Sequence, residues 1–168
     1  AMKKIAFICP YFGTLPKHFP LWLNSCKSND AIDWYLLTDD QTRYEYPQNV
    51  IVKYTTLNEL RLAFQRKFDF TISLDGVYKL GDYKPLYGYL FEELLAGYDA
   101  WGHIDVADEI YGDIRKFVTD ELLDKYDKLM LFGHMCIYRN TPEVNRRFTK
   151  ESGLSLDYRE VFSCAKFY

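Results

Sequence analysis

Apolar positions along the chain follow two rhythms. Short apolar runs closed by turn residues read as buried strands. "KKIAFICPYFG" gives one over roughly Lys4 to Cys9 that stops at Pro10, "AIDWYLLTDD" a second ending in Thr38, Asp39 and Asp40, and "NVIVKYTT" a third. Between the runs the spacing lengthens. "HFPLWLNSCKSN" predicts a short helix from about Pro20, and "TLNELRLAFQRKF" a helix with Leu57 and Leu60 at helical spacing and Thr56 as N-cap. In "VYKLGDYKPLYGYLFEELLAGYD", Leu86, Leu90 and Leu94 recur every four residues. That spacing predicts an amphipathic helix with Asp82 as N-cap, Pro85 in the first turn and Gly97 at the end. "YDAWGHID" then gives a strand, and "DKLMLFGHMCIYRN" a strand or bent strand pair around Gly133. "NTPEVNRRFTKES" gives a helix capped by Thr141, with Pro142 in its first position.

Strands alternating with helices specify an α/β fold with a mainly parallel central sheet. Ligands of such sheets sit outside the carboxyl ends of the strands. The segments just past those ends, "PYFG", "TDD", "DVAD" and "GH", are therefore expected along one rim. In "YDAWGHIDVADEIYGDI" an apolar strand breaks off into three aspartates, Asp105, Asp108 and Asp113, on that same edge.

Composition narrows the classes. The 168 residues, 48% of them hydrophobic, suffice for one compact domain. A net charge of -3 without like-charge runs offers no basic face for nucleic acid. No apolar segment approaches the ~20 residues that span a bilayer. Cys9, Cys26, Cys136 and Cys164 form no Cys-x-x-Cys pair, which argues against zinc and fits a reducing cytoplasm. The 15 Tyr and 12 Phe serve either as half-buried core residues or as faces that stack on a base or sugar.

Crowded carboxylates raise each other's pKa unless a cation neutralises them. Asp105 and Asp108 suit Mg²⁺ or Mn²⁺ with phosphate oxygens in its remaining positions; the alternative is that they cap the next segment and face water. Lys84, in the first turn of the helix predicted near Asp82, adds a full charge to free N–H groups, a combination suited to a diphosphate. A solvated lysine is the alternative, and Lys79 strengthens the functional reading. Thr38, Asp39 and Asp40 either bond a base or ribose or form a polar turn. A lone histidine such as His103 or His134 is ordinarily a satisfied core residue. Nucleophile triads, Gly-x-Gly-x-x-Gly and P-loop motifs are absent from the sequence.

The segments "IAFICPYFGTLPKHFPLWLNSCKSNDAIDWYLLTDD", "YKLGDYKPLYGYLFEELLAGYDAWGHID" and "YGDIRKFVTDELLDKYDKLMLFGHMCIYRN" together resemble bacterial GT-A-type glycosyltransferases of polysaccharide biosynthesis, from about Lys4 to Asn140. The resemblance implies a single GT-A, Rossmann-like nucleotide-sugar domain. Pro10, Tyr11, Phe12, Gly13, Thr38 and Asp39 would line the nucleotide pocket. Lys79, Asp82 and Lys84 would border the donor, with Lys84 nearest the diphosphate. Gly133 and His134 would sit by the donor sugar or the acceptor, and Asp105 would open an Asp-x-Asp metal motif. It further implies Mn²⁺ or Mg²⁺, a nucleoside-diphosphate sugar, a glycan acceptor, and a location in the cytoplasm or at the inner face of the membrane.

Two departures qualify that implication. Two residues after Asp105 stands Ala107, and the next carboxylate is Asp108, with Glu109 behind it. A one-residue bulge would carry Asp108 into the second ligand position; otherwise the metal site is weakened or lost. Relatives of this kind also continue further, so a domain lacking their acceptor portion is expected. The rival expectation is a non-catalytic domain that binds nucleotide or glycan. A metal-dependent phosphohydrolase is disfavoured, because the first strand ends in Cys9-Pro10 without a carboxylate.

Overall fold

The computed structural model describes residues 2–106, 111–131, 135–150 and 157–166. Six strands form one sheet: β1 (Ile5–Tyr11), β2 (Ile32–Thr38), β3 (Val50–Tyr54), β4 (Ala100–His103), β5 (Lys128–Leu131) and β6 (Met135–Arg139), in the order β3-β2-β1-β4-β6-β5. β1 pairs in parallel with β2 and β4, and β2 with β3, while β6 runs antiparallel to β4 and β5. The α/β reading with a mainly parallel sheet therefore holds. The bent pair expected around Gly133 is the antiparallel β5–β6 pair.

The core lies on both faces of this sheet. Ile5, Phe7 and Cys9 of β1 join one apolar cluster, with Phe19 and Trp22 of α1 (Phe19–Ser28). Ala6 and Ile8 join the other, with Leu60 and Phe64 of α2 (Leu57–Gln65). Such a strand shows no polar alternation because both faces are covered. Thr56 caps α2 as expected, its side chain accepting from Glu59 N–H at 3.1 Å.

The helix expected from Asp82 to Gly97 is broken. α3 (Val77–Tyr83) starts earlier, a 3₁₀ turn follows over Lys84–Leu86, and α4 (Tyr87–Leu90) runs on into turns that end at Gly97, φ +91°. Pro85 explains the break, since it has no N–H to continue the ladder. The leucine spacing still marks the inner face: Leu86 and Leu90 are buried. Asp82 is inside α3 rather than at its cap, and its carboxylate pairs with Lys79 at 3.0 Å.

Later helices are short. α5 (Asp120–Lys125) and α7 (Tyr158–Ser163) were not anticipated; Thr119 and Asp157 cap them. α6 (Pro142–Asn145) has the expected Thr141 cap but only four residues. Phe162 of α7 packs on Tyr83, ring centroids 4.5 Å apart, and so closes the second face. Among the described residues no helix is long and apolar enough to cross a membrane.

A buried polar bond ties α6 to the sheet. Trp101 Nε1 of β4 donates to Asn145 Oδ1 at 2.8 Å, and Asn145 Nδ2 donates to Asn140 Oδ1 at 2.8 Å. Gly88 lies against this bond, and a Cβ there would overlap both the Asn145 carboxamide and the Trp101 indole nitrogen. Gly88→Ala should therefore destabilise the protein by about 2–4 kcal/mol, combining overpacking with a lost buried bond. Urea unfolding checks this: the midpoint should fall with an unchanged slope, and Asn145→Ala added to Gly88→Ala should cost little more.

Candidate functional site

The parallel register aligns the strand ends. Tyr11 pairs with Thr38, and Ile8 with His103, so the segments after β1, β2 and β4 leave the sheet at one edge. The chain winds outward from β1 through β2 to β3, then crosses back to place β4 on the other side of β1. The reversal lies between β1 and β4, where ligands of open α/β sheets bind. β5 ends and β6 begins at the same edge, with Leu131 opposite Met135. Gly133 and His134 between them, and Asp108 after β4, lie outside the described residues.

The loop after β1 is pinned by the acids after β2. Gly13 N–H, at φ +102°, donates to Asp39 Oδ1 at 2.8 Å, and Leu15 N–H donates to Asp40 Oδ2 at 2.9 Å. Hydrogen bonds from the Thr42 hydroxyl and the Leu15 and Thr42 amides hold the Asp40 carboxyl below its ordinary range. Thr38 is buried, and its Oγ1 accepts from Asp40 N–H at 3.1 Å. Pro10, Tyr11 and Phe12 are half-buried, while Gly13 and Asp39 are exposed. Thr38 and Asp40 thus form a polar turn, and Asp39 shapes the loop that the resemblance assigns to a nucleotide.

Lys84 and Asp105 meet across the reversal point. Lys84 Nζ donates to Asp105 Oδ1 at 2.7 Å, with side chains 29% and 31% exposed. The approach differs from the expected one. Lys84 follows the C-terminal end of α3, so it does not crown an open helix N-terminus. Lys79 and Asp82 turn elsewhere: both side chains are buried, and Lys79 Nζ also donates to the carbonyls of Val161 and Lys166, at 2.5 and 2.7 Å. Their pair anchors the end of α7. Of the three residues expected to border the donor, Lys84 is the one brought to Asp105.

Two side chains beside this pair carry unpaired buried polar atoms. Tyr87 of α4 is fully buried, its ring edge-on to His103 of β4, with centroids 6.1 Å apart. Neither Tyr87 Oη nor His103 Nδ1 has a hydrogen-bond partner among the described residues. Burial, then the negative charge of Asp105, pushes the Tyr87 hydroxyl far above its usual range. Burial, then the Lys84 charge, lowers His103 to about 4, with Asp105 opposing and Lys128 assisting. His103 is thus in the core as expected, but its Nδ1 has no partner among the described residues and its pKa is lowered. Nothing in the spacing of "KPLYGY" singles out Tyr87; its signal is tertiary.

Among the described residues no three His, Cys, Asp or Glu side chains converge as a metal cage. Asp105 alone is a weaker but chemically adequate donor, because Mg²⁺ often takes one or two carboxylates and fills its shell with phosphate oxygens and water.

His103 gives the pH dependence a definite sign. The unfolded chain protonates near 6.5, the folded one near 4. Stability from this group is complete above pH 6.5, falls as pH drops through 6.5, and levels off below 4. The loss amounts to about 3 kcal/mol. Urea titrations from pH 7 to 4 should show that the wild-type protein loses about this much more than His103→Asn, which has no proton to take up.

No curated protein matches the chain. The family described as "Family of unknown function (DUF6625)" matches over residues 7–168, and the chain belongs to that family.

Proposed function

We propose that this domain is a GT-A-type glycosyltransferase that binds a nucleoside-diphosphate sugar between the ends of β1 and β4 and passes the sugar to a glycan hydroxyl. The observation that carries the reading is the 2.7 Å contact between Lys84 and Asp105, 21 residues apart in sequence and joined where the strand order reverses. A pair this exposed contributes at most about 1 kcal/mol to stability, so stability is a weak reason for its position. A cation and a hard oxygen donor side by side at a ligand-binding edge suit a diphosphate and its metal.

Each residue then has a role. Lys84 donates to a diphosphate oxygen and stabilises the charge that grows there as the sugar leaves. Asp105 would hold the divalent cation, with Asp108 as the second candidate ligand. A bound Mn²⁺ or Mg²⁺ would supply further neutralisation of the leaving diphosphate. The loop from Pro10 to Gly13, pinned by Asp39 and Asp40, borders the nucleoside. A second reading, binding without transfer, is favoured by Ala107 standing where the resemblance implies the second aspartate, and by Lys84 engaging Asp105 directly.

A thermal-shift panel of nucleoside diphosphates, with and without Mn²⁺, tests the proposal. A ligand at a hundredfold excess over its Kd adds about 2.7 kcal/mol. One nucleotide should raise Tm in a Mn²⁺-dependent way. Asp105→Ala should abolish the Mn²⁺ dependence, and Lys84→Ala should weaken binding about tenfold or more. If no nucleoside diphosphate shifts the protein under either condition, the reading fails. Binding without release of nucleoside diphosphate from any sugar nucleotide, with any glycan, selects the second reading.

A further inference from the structure

We propose that a cavity of about 230 Å³, sharing no residue with the Lys84–Asp105 pair, binds one acidic sugar residue, a hexuronate. The proposal goes beyond the nucleotide-sugar reading and does not depend on it. Four segments build the cavity: Lys67 to Asp69 after α2, Tyr89 of α4, Arg146, Phe148 and Thr149 at the end of α6, and the first turn of α7 with Tyr158 and Arg159. Its rings, Phe68, Tyr89, Phe148 and Tyr158, are partly buried against the second apolar cluster. The volume falls below the roughly 300–1,000 Å³ of drug-sized pockets, so it suits a single ring rather than a chain.

The cations are set in place before any ligand arrives. Lys67 Nζ and Arg146 Cζ lie 5.3 and 4.9 Å from the centroid of the Tyr89 ring. The Tyr89 hydroxyl donates to the Lys67 carbonyl at 2.7 Å, which fixes that ring. Glu92 bridges the two cations, accepting from Lys67 at 3.0 Å and from Arg146 at 3.2 Å, and Glu93 accepts from Lys67 at 3.0 Å. Neither glutamate lines the cavity. Acids outside the lining thus hold cations inside it, and among the described residues the lining sets Lys67, Arg146 and Arg159 against one acid, Asp69. Arg146 gives one terminal nitrogen to Glu92; the rest of its five-donor fork has no hydrogen-bond partner among the described residues.

That lining selects an acidic sugar. A carboxylate matches the planar fork of Arg146, with Lys67 as a second charge beside it. Side chains already held in place lose little freedom on binding, and small ligands gain affinity from that saving. The aromatic walls take the apolar face of the sugar ring. Its hydroxyls donate to the Asp69 carboxylate, which Arg159 holds at 2.8 Å, and to the Thr149 oxygen, whose own proton goes to the Arg146 carbonyl at 2.8 Å. A neutral sugar leaves the Arg146 fork without an anion. An aromatic carboxylate brings no donor for Asp69.

Calorimetric titration of the whole protein with glucuronate, galacturonate, glucose, benzoate and inorganic phosphate, without nucleotide, tests this. One uronate should bind with a Kd of about 1 mM, at least about tenfold tighter than glucose or benzoate. Arg146→Gln should weaken that uronate about tenfold and move Tm by no more than about two degrees, because the side chain is half exposed and its ion pair adds little. No uronate binding up to about 20 mM, equal binding of glucose or benzoate, or an Arg146→Gln protein that binds like the wild type overturns the proposal. Phosphate that displaces the uronate at equal affinity shows an unselective basic patch and overturns it too, as does uronate binding that is lost in Lys84→Ala and kept in Arg146→Gln. Because no probe carries a nucleotide, failure of the nucleoside diphosphate panel leaves this result standing, and the two readings fail separately.

Discussion

The pairing of β1 with β4 is the constraint on which the site depends. It is started by a reciprocal clamp: Lys4 N–H donates to Asp99 Oδ2 at 2.8 Å, and the Lys4 carbonyl accepts from Asp99 and Ala100 N–H at 2.9 and 3.1 Å. Gly102 then lets the strands close, because a Cβ there would strike the Phe7 ring and the Cys136 carbonyl. With Ile5 opposite Ala100, the register brings Ile8 opposite His103. A slip of one residue would turn His103 to the other face of the sheet and separate it from Tyr87. The location of Asp105 and the edge-on contact of His103 with Tyr87 are thus consequences of a backbone register.

Two lysine–aspartate pairs illustrate how the same chemistry divides between structure and recognition. Lys79 and Asp82 are one helical turn apart on α3, about 5% exposed or less, and the ammonium reaches two carbonyls near the chain's end. Such acceptors suit the N–H donors of an ammonium. Breaking such a pair strands a buried charge, which makes it a fastening. Lys84 and Asp105 come from separate elements, each about a third exposed. Water still reaches both, so an exchange of partners for a ligand and its cation carries a far smaller desolvation penalty. Proximity in sequence grouped Lys79, Asp82 and Lys84 together; burial separates them.

What was legible in the sequence follows from how local its cause is. The strands were legible because both faces of the sheet are covered and leave unbroken apolar runs, and the rim followed from their parallel order. The convergence of Lys84 with Asp105 was legible through that rim, although the mechanism differed: Pro85 stops α3 and bends the chain, so Lys84 arrives from a helix end. α5 escaped notice because its six residues bury one leucine, Leu123, too little to set a period. The burial of His103 was legible, but that Tyr87 Oη and His103 Nδ1 lack partners among the described residues was not, since an unsatisfied hydrogen-bonding atom is defined by neighbours from distant segments.

Burial lowers the His103 pKa to about 4, so near neutral pH its ring adds no charge to the corner that Lys84 and Asp105 share. An imidazolium beside Lys84 would repel it and compete for Asp105, and the pair at the edge would lose its definition. Burial against Tyr87 and Tyr138, with ring centroids 6.1 and 6.0 Å away, removes that charge. The same aromatic walls lower the local dielectric, so Lys84 at their rim acts more strongly on a nearby anion than it would in water. A site organised this way keeps its charge at the exposed lip, on Lys84 and Asp105, and its uncharged hydrogen-bonding groups in the interior.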